Sequence, residues 1–174
     1  MSKEVPEVPP EVKHQIAVNS LWSIIVSIWA STVDSFAGVS YAIPFEKWLT
    51  NMRPHTQALA APGVKSIIEN FKIPGNDCTT VAKVHNIMVE AMGFDPEIIE
   101  MTPEKAVVHE RKCPTVDACK LMFPKYLDAP LDKMACTVFD ETIGTTVNPN
   151  ITLRKGETIC QGGPVCEHIW ELKR

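Results

Sequence analysis

Cysteines at 78, 113, 119, 136, 160 and 166 give this 174-residue chain a thiol-rich second half. Cys136 lies four residues before Asp140, a spacing that places thiol and carboxylate on one face of a helix. Near the end, CQGGPVCEHIW (residues 160–170) joins Cys160, Cys166, His168 and Trp170. If residues 165–172 form a strand, alternation points Cys166, His168, Trp170 and Leu172 one way. The apolar weight of Trp170 and Leu172 makes theirs the inner face. Two chemistries then open. A tetrahedral zinc site takes about four ligands, and Cys113, Cys136 and Cys166 with one of Cys160, Asp140 or His168 supply them. Alternatively, Cys166 is a nucleophile, Asp140 orients His168 or activates water, and His168 moves a proton. Side chains at i and i+2 of a strand lie about 6 to 7 Å apart, so His168 serves a substrate or another thiol rather than Cys166. The nearest cysteine pairs are C-x5-C, not the C-x2-C of zinc ribbons. Buried cysteines that act as small hydrophobes are the competing reading, and the one adopted for Cys78 and Cys119. His14 and His55 read as solvated and His85 as an ordinary boundary residue within a helix, while His109 shares strand parity with Cys113.

The elements that must position these groups are read from periodicity and breakers. Residues 1–12, MSKEVPEVPPEV, are expected as a flexible Pro-rich arm. A single α+β domain over 13–174 follows, helical over 13–93 and cysteine-bearing over 94–174. One long helix is expected over 13–36 and a shorter one from Phe45 to Met52. Pro54, Pro62 and Gly63 are expected to mark a loop and a break. Asn76 or Asp77 caps the next helix, whose Val81, Val84, Ile87, Met88 and Met92 recur at helical spacing, and Gly93 stops it. A hairpin turns at residues 102–105, in whose second strand Val107, His109, Arg111 and Cys113 share a face. Thr115 caps a short helix through Met122, and Pro130 opens a longer one reaching Val147. A last hairpin turns at Gly162, Gly163 and Pro164. The expected architecture is a helical N-terminal half packed on a small antiparallel sheet built from two hairpins with intervening helices.

Composition bounds the function classes. The chain is 45% hydrophobic and 22% charged with a net charge of -4, so it offers no basic surface for nucleic acid. Its acidic start lacks the basic and apolar regions of a secretory signal, which leads to an expected reducing cytoplasm. Residues 21–43 are apolar over nearly a bilayer width, yet Ser23, Ser27, Ser31 and Asp34 mark a polar face. A buried or interface helix is therefore expected, with no membrane partner. Helix 21–36 is the surface for a homo-oligomer or a protein partner.

The ordered series CPTVDAC, CTVFDE and NPNITLRKGETICQGGPVCEHIW resembles the L-2-amino-thiazoline-4-carboxylic acid hydrolase-like family over roughly residues 106–172. The family pattern falls on Cys113, Cys136, Asp140, Cys166 and His168. The resemblance implies a small hydrolase that opens an aminothiazoline ring by adding water, with Asp140 as base, His168 as acid, and a thiol or thiolate-bound zinc assisting. The layout is also similar to small-molecule-binding domains of the vinyl-reductase type, in which cysteines hold zinc. Three functions stay open: a cytoplasmic hydrolase-like enzyme for a small heterocyclic or amide-like compound, a non-catalytic ligand-binding module with a zinc–cysteine site, and a subunit partner of a larger enzyme. Cys113, Cys136, Cys160 and Cys166 are the expected metal ligands, zinc the first cofactor, with iron or no metal left open.

Overall fold

The computed structural model describes residues 5–36, 45–117 and 135–173. Its elements, in chain order, are helices α1 (Pro10–Phe36), α2 (Phe45–Asn70) and α3 (Cys78–Ala91), strands β1 (Pro96–Met101) and β2 (Lys105–Glu110), helix α4 (Ala135–Val147), and strands β3 (Ile151–Lys155) and β4 (Cys166–Leu172). The fold is α+β: the helical half packs on one antiparallel sheet of order β1-β2-β4-β3. Each hairpin contributes one outer and one central strand, and β2 meets β4 at the seam.

The first departure from expectation is at the N-terminus. Helix α1 begins at Pro10 rather than Lys13, and Val8 is buried in the core. A proline suits a first helical position because the N–H it lacks has no intrahelical acceptor there. The arm expected over residues 1–12 is thus anchored by Val8, while residues 1–4 lie outside the described residues. Leu21 and Ile25 are exposed on α1. The side chains of Trp22, Trp29 and Trp48 lie outside the described residues, as do residues 118–134, on which the expected Thr115–Met122 helix and the Pro130 helix start partly fall. Helical backbone is present at 114–117 and from Ala135. Among the described residues, no helix is long and apolar enough to cross a membrane.

Helix α2 corrects the expected break at Pro54, Pro62 and Gly63, because one helix runs through all three. An interior proline costs about 3 kcal/mol. Both prolines are exposed, whereas Met52, Thr56, Ala60, Val64 and Ile67 continue unbroken along the buried side. Each large apolar side chain on that row contributes about 1.5 to 3 kcal/mol on burial, enough together to offset the two rings.

Helix α3 forms as its sequence dictates. Asp77 caps it, Oδ1 accepting from the Thr79 and Thr80 amides at 2.9 and 3.1 Å. Gly93 leaves it at φ +87°, a left-handed turn that costs glycine little. Its Val81, Val84, Ile87 and Met88 enter one core with Ala106 and Val108 of β2, Phe139 and Ile143 of α4, Ile151 and Trp170. Helix α4 approaches the sheet closely at Gly144, where a Cβ would lie 3.1 Å from Trp170 Cδ1 and 3.3 Å from Ile151 Cγ2.

Candidate active site

Strand register assembles the site from below. His168 on β4 lies opposite Val108 of β2 on one side and Lys155 of β3 on the other, and Glu110 lies opposite Cys166. Residues directly opposite share a face with Cβ atoms about 5 Å apart. Glu110, His168 and Lys155 therefore project from adjacent strands to the side covered by α3 and α4. Those helices add His85 and Asp140. Trp170, one pleat along from His168, floors the cluster, stacked on the His168 ring at 5.6 Å and edge-on to His85 at 4.7 Å.

Contacts within this group are short. Lys155 Nζ lies 2.6 Å from Asp140 Oδ2 and 2.5 Å from His168 Nε2, and His168 Nε2 lies 3.1 Å from the same Asp140 oxygen. His85 Nε2 is 3.2 Å from Glu110 Oε1 and 3.7 Å from Asp140 Oδ1. The 3.2 Å contact is not aligned as a hydrogen bond, so both nitrogens of His85 are buried without a hydrogen-bond partner, as are His168 Nδ1 and Trp170 Nε1. The imidazoles are 0% and 1% exposed, too little for bulk water to serve them.

Charge states follow from this packing. Burial opposes ionisation of Asp140, but the Lys155 ammonium, then His168 and His85, outweigh it and hold the carboxyl well below the carboxylate range. Burial likewise opposes the Lys155 charge, and Asp140 more than restores it, raising the ammonium above its ordinary value. Burial first and Lys155 second lower His168, which stays a neutral imidazole. With Nε2 accepting from Lys155, the His168 proton sits on Nδ1.

The thiols gather at the edge of this group. Cys113 and Cys166 share a hydrogen bond that lowers Cys113 to about 7 and pushes Cys166 far above the usual thiol range. Cys166 Sγ also accepts from the Ile159 amide at 3.4 Å, and Cys160 donates to Thr158 Oγ1 at 3.3 Å. Cys136 is exposed at the start of α4. Desolvation of the sulfur by neighbouring groups is the first cause that raises its thiol to about 11, with Lys155 opposing and Asp140, Cys113 and Cys160 adding to the rise. Cys78 is buried in the core as expected. Among the described residues the expected ligands Cys113, Cys136, Cys160 and Cys166 do not bring their sulfurs together around one point. The set that does is His85, Glu110 and His168, whose ligand atoms lie within 4.8 Å of one another.

The structure thus joins Asp140 to His168, pairs Cys113 with Cys166, and adds His85, Glu110 and Lys155. His85 is no boundary residue; it is fully buried. His109 does not share a site with Cys113, since β2 ends at Glu110 and His109 turns outward to pair with Glu167 at 3.1 Å. Comparison with protein-family models, curated proteins and solved structures returns no match.

Proposed function

We propose that the protein is a hydrolase-like enzyme that adds water to an amidine- or amide-like carbon of a small compound, an aminothiazoline acid being the first substrate to test. One observation carries the reading: a buried carboxylate, Asp140, is bound to an ammonium, Lys155, and both touch a neutral imidazole, His168. Contact geometry supports the reading: the carboxylate can accept a proton and the ammonium can donate one, and the two are in direct contact, although each stabilises the other's charged form. Asp140 takes a proton from water as the water oxygen bonds to the ring carbon. Lys155 gives its proton to the leaving sulfur as the carbon–sulfur bond breaks. The Asp140–Lys155 hydrogen bond returns the proton for the next cycle, and His168 positions both groups. Lys155 thereby takes the acid role that the sequence reading gave His168. Cys166 is not the nucleophile in this scheme, because its side chain is buried and its sulfur already accepts from the Ile159 amide.

The test is turnover of 2-amino-thiazoline-4-carboxylic acid, beside simple cyclic amidines and amides, read as thiol or amine release. Asp140→Asn and Lys155→Met should each lower the rate at least about 100-fold, the usual weight of a positioned acid or base. Wild-type rates in both variants would remove the pair from the mechanism.

A further inference from the structure

We propose that the chain binds one divalent transition-metal ion, zinc foremost, through His85 Nε2, Glu110 Oε1 and His168 Nε2. The inference rests on the hydrolase reading for its use, since a bound ion would supply activated water beside Asp140, but its geometric grounds are separate.

The three groups come from three rigid elements, α3, β2 and β4, and are almost wholly buried. Glu110 Oε1 stands 3.2 Å from His85 Nε2 and 3.9 Å from His168 Nε2. Ligands bound at about 2.0 to 2.2 Å around one zinc ion are separated by distances of this order, so only a small closure is needed. Two imidazoles and one carboxylate form a three-ligand set that leaves coordination positions for water, the pattern of catalytic rather than structural zinc, and one that iron(II) also accepts.

Polar atoms without partners in the cluster point to the same occupant. A buried donor or acceptor with no partner costs about 1 to 3 kcal/mol, and neither nitrogen of His85 has one. Counted as ionised groups, Asp140 and Glu110 carry two negative charges against the single positive charge of Lys155. The lone pair of His168 Nε2 already faces a cation, the Lys155 ammonium. Lys155 is the most exposed member of the group, with 15% of its side chain accessible, and its flexible stem lets Nζ leave His168 Nε2 to an ion while it keeps its contact with Asp140. Asp140 Oδ1, 3.7 Å from His85 Nε2, then stands beside the ion's open positions. From there it can receive a proton from metal-bound water.

The experiment is a zinc titration of the metal-stripped full chain by calorimetry, without substrate. One zinc per chain is expected. His85→Ala and Glu110→Gln, the latter nearly isosteric, should each weaken binding at least about 100-fold with unchanged circular dichroism, while Cys113→Ser and Cys166→Ser should bind as wild type. Cobalt(II) gives a second readout: its spectrum should lack a sulfur-to-cobalt charge-transfer band. A chain that binds no stoichiometric zinc, binding that survives both His85→Ala and Glu110→Gln, or a thiolate band would overturn the proposal. Turnover without zinc binding would remove the ion and keep the hydrolase; zinc binding without turnover would do the reverse.

Discussion

The residue that changes most between sequence and structure is Lys155. The sequence pattern does not single it out within LRKGE; in the sheet it stands opposite His168 and closes on Asp140. Removing one partner of a buried ion pair leaves the other unpaired in low dielectric, typically at about 3 to 5 kcal/mol. Lys155→Met in the metal-free protein is therefore expected to lower urea stability by that order, and adding Asp140→Asn should restore most of the loss. Equal stability of wild type and Lys155→Met would show that the pair is not buried as described. Asp140 and His168 were legible because helix spacing and strand alternation are local. Glu110 and Lys155 obey the same alternation, with Ala106 and Val108 and with Ile151 and Leu153, but charged residues read as solvated until a buried counter-group is known. His85 sits in the apolar stripe of α3 beside Val81 and Met88, the one sequence signal that could have marked it as enclosed. A second test at this scale uses Cys113. The hydrogen bond from Cys166 favours its thiolate, so alkylation should show a midpoint near pH 7, below the 9.0 of an ordinary thiol. In Cys166→Ala the midpoint should rise toward that ordinary value, and alkylation at pH 7 should slow.

At the scale of elements, α3 and α4 decide whether the site exists, because each supplies one group to a face built by the sheet. Asp77→Ala removes the carboxylate that receives the Thr79 and Thr80 amides and should cost about 1 kcal/mol in thermal or urea unfolding. Gly144 lies one turn beyond Asp140 and lets α4 rest on Trp170. Gly144→Val forces that contact apart and should cost about 1 to 3 kcal/mol. It should also lower turnover, since Asp140 moves with the helix; a variant with full stability and full rate would contradict the close approach. The cap of α3 and both hairpins were readable from local chemistry. The course of α2 through Pro54 and Pro62 was not, because the apolar row that outweighs the prolines is recognised only once the surface it buries against is known.

For the whole molecule, the seam between β2 and β4 turns two local hairpins into one sheet and brings residue 110 to residues 155 and 168, which the β3–β4 hairpin has already paired. That pairing is long-range, and no local pattern in the sequence specifies it. The fold class was legible from helical texture giving way to strand texture; the site's centre was displaced from the thiols toward the acids, imidazoles and lysine by the seam. The thiols line the edge of the same group, so substitution can separate the two sets of side chains. The most direct measurement compares turnover of an aminothiazoline acid by Asp140→Asn with turnover by Cys166→Ser. The geometry predicts a loss of at least about 100-fold in Asp140→Asn and a rate within a few-fold of wild type in Cys166→Ser. The reverse order, with Cys166→Ser inactive and Asp140→Asn unimpaired, would contradict it.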